Sequence, residues 1–395
     1  MPNDRSIKLH WFLPTQGDGR RLIETGEAPP EGVAGGYRPP TLAYLSRIAT
    51  AAEDLGFEAA LTPAGVWCDD AWITTAMLSQ LSSRLKFLVA YRPGLVSPTL
   101  AAQMAATFQE KSGGRLLLNV VTGGEDHEQR FYGDFLSKDE RYIRTGEFLE
   151  IVQRLWQGEE VNFEGTYESV EGARLNRPPD PVPAIYFGGS SKPALDVAAR
   201  QVDVYLTWGE PPEAVKAKVE TVRELAEQNG RSLRFGVRLH VIARDSEEDA
   251  WAEADRLLDA LDPAIVEKVQ HELKRSQSEG QKRMLELHRG SRSDLEIHPH
   301  LWAGVGLGRG GAGTAMVGNH LQIADLMQEY VDAGIDEFIL SGYPHLEELY
   351  WFGEGVMPEL EKRGLIERPA SAKPAGSSNV NHVVPFTAQA SGTRG

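Results

Sequence analysis

Short apolar runs alternate along the chain with longer segments whose apolar residues recur at three- and four-residue spacing. That rhythm predicts strands followed by amphipathic helices. Ile7–Phe12 reads as a first strand and Thr41–Leu55 as its helix, with Leu42, Leu45, Ile48, Ala52 and Leu55 on one face and Gly56 placed to end it. Phe57–Thr62, Lys86–Tyr91 and Arg115–Val121 give three more strands, followed by helices at Ala71–Leu81, Ser97–Glu110 (Pro98 in its first turn) and Glu140–Gln157. After an interruption come strands at Ala184–Phe187, Val202–Thr207 and Arg234–Ala243, with helices at Ser191–Arg200, Pro212–Asn229 and Ser246–Leu261. A helix over Leu321–Ala333, a strand over Glu337–Leu340 and a helical stretch Leu346–Arg363 complete the series. Strands interleaved with helices predict a parallel α/β sheet. The count of eight, with no early GxGxxG, favours a closed (β/α)₈ TIM barrel with insertions over an open doubly wound sheet.

One domain is expected over residues 1–365, followed by a flexible tail over 366–395, rich in Ala, Ser, Pro and Gly and holding one apolar island, Val383–Phe386. Two segments interrupt the repeats. Residues 158–183 hold a short alternating stretch and a Pro-rich linker. Asp262–His320 opens with a helical, highly charged part and continues into a segment with six glycines between Gly304 and Gly313, and with Arg309 among them. A long glycine-rich loop inside a compact domain is usually functional. Residues 276–318 are therefore expected to form a mobile lid over a bound substrate, with Arg309 at its tip.

Composition narrows the partners. The 395 residues are 41% hydrophobic, enough for a large core, and 57 Asp+Glu against 41 Lys+Arg give a net charge of −16. Such a surface repels nucleic acid and anionic lipid. One cysteine, Cys68, excludes an intramolecular disulfide. The histidines show no HxxxH or HExxH pairing, so no metal site is expected. No apolar run is long enough for a bilayer span, and the N-terminal MPNDRSIKLHWF lacks an apolar signal core, so a soluble cytoplasmic protein is expected.

In a barrel, chemistry sits just past the C-terminal ends of the strands. Those positions hold Cys68 and Asp69 after strand two, Arg92 after strand three, and Asn119, Thr122 and Gly123 about the end of strand four. Gly188–Ser191 follows strand five and Trp208 and Glu210 follow strand six. Arg238 and His240 lie two apart in strand seven, on one face, and Tyr343 and His345 follow strand eight. Arg92, Arg238, His240 and Arg309 together suggest a cationic rim suited to a small anion. For Arg238 and Arg92 the competing reading is a structural ion pair with a carboxylate. Phe187-Gly-Gly-Ser-Ser191 opens a helix and offers backbone N–H groups and hydroxyls to a phosphate, with Tyr142 as a further donor. Cys68 lies beside Asp69 and Asp70, which disfavours a thiolate.

Several longer stretches then resemble one known family: HWFLPTQGDG (10–19), CDDAW (68–72), NVVTGG (119–124), YFGGSS (186–191), YLTWGEPP (205–212), GVRLHV (236–241), LWAGVGL (301–307), RGGAGTA (309–315) and SGYPHLEE (341–348). They are similar to the two-component, reduced-flavin-dependent alkanesulfonate monooxygenases of the bacterial luciferase-like superfamily, in unbroken order from about Ile7 to Leu365. The resemblance implies a barrel that takes up FMNH₂ from a separate NAD(P)H-dependent FMN reductase. With O₂ as co-substrate it would cleave the C–S bond of an organosulfonate to sulfite and an aldehyde. It implies a homo-oligomer, dimer or tetramer. It matches Cys68, Trp208, Arg238, His240, Arg309 and Tyr343 to active-site positions. Tyr142, Gly189, Ser190, Ser191 and Lys138 match the flavin-phosphate side, and Asn119 and Thr122 the flavin ring.

Two departures stand out. The segment Arg21–Tyr37 is longer than the family leads one to expect, so its usual acidic residue falls on either Glu24 or Glu27, and a larger polar sulfonate such as sulfoquinovose stands beside simple alkanesulfonates. Lys138 replaces a common histidine. Three other readings compete: a deazaflavin-dependent dehydrogenase on the same fold, a non-catalytic sulfonate- or flavin-binding protein, and a barrel aldolase. The last lacks a strand lysine near a C-terminal end, since Lys8 and Lys86 both sit at N-terminal ends.

Overall fold

The computed structural model describes residues 6–23, 36–123, 126–292 and 294–369. Its first half runs β1 (Lys8–Phe12), α1 (Leu42–Leu55), β2 (Ala59–Thr62), α2 (Ala71–Leu78), β3 (Lys86–Tyr91), α3 (Pro98–Ser112), β4 (Leu116–Val120), a short α4 (Asp126–Phe131) and α5 (Lys138–Trp156). The expected excursion is an antiparallel hairpin of β5 (Val161–Glu164) and β6 (Ser169–Ala173). The barrel resumes with β7 (Ile185–Gly188), α6 (Lys192–Gln201), β8 (Val204–Trp208), α7 (Pro212–Gln228), β9 (Arg234–Arg244) and α8 (Glu247–Asp259). The long insertion holds α9 (Pro263–Leu273), α10 (Glu279–His288), β10 (Glu296–His298), β11 (Leu301–Trp302), α11 (Val305–Gly308) and β12 (Ala315–Asn319). Then come α12 (His320–Asp332), β13 (Glu337–Ser341), α13 (His345–Trp351), a π-helical turn over Phe352–Val356 and α14 (Met357–Lys362).

Eight parallel strands close the barrel in the order β1-β2-β3-β4-β7-β8-β9-β13, with β13 pairing back onto β1. Closure follows from the sequence. A strand such as KFLVAY is apolar on both faces, because helices cover the outside and side chains fill the inside, whereas FGVRLHV is apolar on one face and carries Arg238 and His240 on the other. The helices carry the expected stops and starts: Gly56 ends α1 at φ 96°, Pro98 opens α3, and Ser137 and Glu140 form a capping box on α5.

One expectation about the long insertion is corrected. Residues 315–318, read as the end of a lid, belong to β12, which pairs in parallel with the outer half of β9 (Ala315 beside His240, Asn319 beside Arg244). Much of the glycine-rich segment expected as a lid is packed into the fold: residues 301–308 and 312–317 are buried. The run AMVG is apolar and β-branched enough to join a sheet, and the many glycines beside it hid that. The tail beyond Pro369, with its Val383–Phe386 island, and residues 24–35, with Glu24 and Glu27, lie outside the described residues. The first residues of the span expected as a flexible tail instead pack on the domain: Ile366 is buried, and Arg368 is buried and tied to Glu361 at 3.1 Å.

The bottom of the barrel holds a buried charge network that the sequence reading missed. Glu337, the first residue of β13, is fully buried and accepts bonds from His10 Nε2 and Tyr186 Oη, both at 2.8 Å, and from the Arg234 guanidinium. Among the described residues, no helix is long and apolar enough to cross a membrane.

Candidate active site

Past the C-terminal ends of the strands opens a cavity of about 830 Å³, lined by loops from most of the barrel strands and by the insertion. Arg238, in the middle of β9, points into it. Its carbon skeleton and charge rest on Phe12, with the guanidinium carbon 4.2 Å from the ring centroid. Both Nη atoms are buried and have no hydrogen-bond partner. The residue is only 8% exposed, so among the described residues this is a desolvated cation without a carboxylate. Burial, and then the nearby charge of Arg309, pull its pKa below the ordinary arginine value. An anion in the cavity relieves both.

Arg309 reaches the same space from the glycine-rich loop. Its Nη1 donates to Tyr343 Oη at 2.8 Å, which leaves the phenolic proton free to point at a ligand. Tyr343 stacks on His240, centroids 5.4 Å apart and 15° between planes. His240 itself is 1% exposed and sits behind this pair, with Nδ1 2.9 Å from Ser341 Oγ. Burial first, and then the charges of Arg309 and Arg238, hold the imidazole neutral, well below the usual histidine range. Trp208 lines the cavity from the end of β8.

The phosphate-type cradle lies on the β7 side. Ser191 occupies the N-cap of α6 without making a side-chain cap bond, and its Oγ is buried with no partner. A Cβ on Gly189 would come 2.6 Å from Ala194 Cβ and 3.1 Å from Tyr142 Oη, so only glycine keeps this corner open. A hydroxyl beside the Tyr142 phenol and uncommitted to its own helix, a helix N-terminus and a glycine-cleared corner fit the oxygen acceptors of a phosphate. Ser190, Ser191, Gly189, Tyr142, Lys138, Asn119 and Thr122 all line the cavity. Lys138 Nζ donates to the Gln277 carbonyl at 2.8 Å, and Thr122 Oγ1 lies 3.3 Å from Thr145 Oγ1.

The insertion forms the remaining wall. Gln270 of α9 donates to the Gly306 and Leu307 carbonyls at 2.9 and 3.1 Å, and Gln281 of α10 accepts from Gly311 N at 2.9 Å. Gly280 lies against the Trp208 indole, where a Cβ would stand 3.0 Å from the ring. Two amide side chains thus pin the loop that carries Arg309.

The expected rim is not assembled as a whole. Cys68 is not brought to the cavity: its thiol turns back on its own loop toward the Gly65 and Pro63 carbonyls, at 3.5 and 3.7 Å, and burial pushes its pKa up to about 11. Arg92 lines the cavity, but its charge is spent on Glu128 at 2.6 Å. His240 adds no charge. The cationic rim is instead Arg238 and Arg309, joined by Arg283 from α10, which the sequence reading passed over as part of a charged helix. Asp18 and Gln16 were also missed as individuals, though both sit in a quoted motif. Asp18 accepts from Tyr44 Oη, Gly19 N and His345 N, and burial raises its pKa to about 6. The Gln16 side-chain oxygen is buried without a partner beside the cavity. Among the described residues, no cluster of three or more His, Cys, Asp or Glu side chains is arranged to hold a metal.

A family model described as luciferase-like monooxygenase matches residues 7–337. Three solved structures share the fold over most of both chains. A riboflavin lyase with modified FMN and riboflavin superposes with a TM-score of 0.76 at 19% identity, covering 92% of this chain and 93% of that one. A long-chain alkane monooxygenase gives 0.74 at 21%, with 92% and 93% covered. The EDTA monooxygenase of Chelativorans sp. BNC1 gives 0.71 at 20%, with 92% and 96% covered.

Proposed function

The chain belongs to the luciferase-like monooxygenase family, and on that basis we propose that it is a two-component monooxygenase that desulfonates an organosulfonate with FMNH₂ and O₂. The net reaction balances as RCH₂SO₃⁻ + FMNH₂ + O₂ giving RCHO, HSO₃⁻, FMN and H₂O. A separate NAD(P)H-dependent reductase would supply the FMNH₂, and the working form would be a homo-oligomer. The observation that carries the reading is Arg238: a buried guanidinium that meets no carboxylate among the described residues and lines the same cavity as Arg309. A sulfonate, with three acceptor oxygens and one negative charge, suits two such forks.

Reduced FMN, when bound, would supply the electrons and activate oxygen; the protein's part is to hold, orient and keep dry. Ser190, Ser191, the Gly189 backbone and Tyr142 would hold its phosphate, with Asn119 and Thr122 near the ring. Arg238 would grip the sulfonate and offset negative charge developing beside it. Tyr343, its oxygen already accepting from Arg309, would hold its proton toward the reacting oxygen. Neutral His240 backs the Tyr343 ring and fixes its plane. The unpartnered Gln16 oxygen would accept from a substrate hydroxyl, which favours a hydroxylated sulfonate over a bare alkane chain.

Arg309→Ala tests the arrangement. It removes one fork and the bond that orients Tyr343, and opens the loop to water. Sulfite formed per FMNH₂ oxidised is expected to fall about tenfold or more, with hydrogen peroxide making up the difference. FMNH₂ binding is expected to stay within about twofold, because the phosphate cradle is untouched. Full coupling in this variant would remove Arg309 from the site. A point change is the right probe: deleting 300–315 would take out β11 and a buried wall.

A further inference from the structure

We propose that Arg283, on helix α10 of the insertion, is a ligand of the flavin phosphate, and that it couples cofactor binding to the order of the Arg309 loop. The proposal rests on the phosphate cradle described above, not on the identity of the substrate. Strands β7 and β8 are neighbours, with Gly188 opposite Leu206, so the Gly189–Ser191 turn leaves the barrel beside Thr207–Glu210. Arg283 closes on that corner from above. Its Nε lies 3.3 Å from Glu210 Oε1, yet its Nε and Nη2 are buried and make no hydrogen bond. Its charge is also felt at the Tyr205 hydroxyl, which donates to the Gly189 carbonyl at 2.7 Å.

The charges in this corner do not cancel. Glu210 is already satisfied by Lys218, whose ammonium also donates to Thr207 Oγ1 at 2.7 Å. Glu210 thus faces two cations, and the nearby Glu279 is itself held by Lys282 at 2.8 Å, so two Arg283 nitrogens stay unbonded beside a cavity wall that also carries the Ser191 hydroxyl and a helix N-terminus. A phosphate dianion meets all three needs at once. The mechanical consequence follows from the helix. Two residues before Arg283, Gln281 holds Gly311 N, and Gly280 packs on Trp208. A phosphate that holds Arg283 therefore holds the helix that pins the Arg309 loop, so cofactor arrival would order the substrate side.

The test compares reduced FMN with reduced riboflavin, which lacks the phosphate, by anaerobic quenching of tryptophan fluorescence in the full chain. Arg283→Ala is expected to weaken FMN about tenfold or more while leaving riboflavin within about twofold, with Arg283→Lys intermediate. In parallel, FMN-induced amide-exchange protection over residues 309–313 is expected in the unmodified protein and lost in Arg283→Ala. Unchanged FMN binding, or equal weakening of both flavins, would overturn the proposal. If Arg283→Ala does not fold, Arg283→Gln decides by the same FMN-to-riboflavin ratio. Because no sulfonate enters these measurements, their failure is separable from a failure of the desulfonation reading.

Discussion

Arg238→Ala is expected to lower sulfite-forming kcat/KM by about 10²–10³-fold, the size of effect seen when one preorganised donor is removed from a desolvated site. The guanidinium is held by Phe12 and meets no carboxylate among the described residues, so its polar contacts are available to a ligand. The same facts give a second, opposite expectation. A buried cation without a partner costs stability, so the alanine variant should unfold at an equal or slightly higher denaturant midpoint than the parent. A structural arginine would behave the other way, losing stability with activity. FMNH₂ binding should change little, and Arg238→Lys should recover part of the turnover as a point charge without the fork. Sulfite assay and guanidinium denaturation on the same preparations separate the two roles.

Glu337→Gln is expected to destabilise the fold by about 3–5 kcal/mol, the cost of breaking a buried ion pair from one side. The carboxylate is fully buried at the base of the barrel, and the amide would leave His10 and Arg234 facing a group that cannot balance them. Burial alone would raise its pKa; the His10 bond and charge, with Arg234 and Tyr186, outweigh it and hold the carboxyl at about 2. Its pKa is lowered on folding, so its contribution is complete above about pH 4.5 and is lost as the pH falls toward 2. The parent should therefore lose stability across that window, and Glu337→Gln should show a flatter profile there. Denaturant midpoints between pH 7 and pH 3 measure both. Flavin binding should be unaffected wherever the variant is folded, since the network lies at the opposite end of the strands from the cavity.

The eight barrel strands and their helices were legible because each carries its own local signal: a short apolar run, then three-and-four spacing with a cap or a proline. Arg238 was legible because a guanidinium inside a barrel strand is costly enough to demand a reason, and Ser191 because GGSS opens a helix after a strand. What failed to read was what depends on distant partners. Arg92 and Arg238 look alike in the chain, yet Glu128 on α4 claims the first and none of the described carboxylates claims the second. Cys68 sits in the right motif, but the turn it belongs to folds its thiol onto its own carbonyls. Arg283 carries no local mark at all: one cation in a charged helix becomes a cavity residue only because the insertion folds back over β8. The strand β12 was masked by six glycines whose looseness the surrounding apolar residues suppress.

Desulfonation itself is decided by supplying chemically or enzymatically reduced FMN and oxygen to the purified protein and counting sulfite released per flavin oxidised. The substrates run from methanesulfonate through 2-hydroxyethanesulfonate to sulfoquinovose, with reduced deazaflavin as the contrasting cofactor. Near-stoichiometric sulfite is expected from at least one hydroxylated member with FMNH₂, and none with the deazaflavin. Flavin oxidation that yields only peroxide with every sulfonate in the series would contradict the proposed reaction.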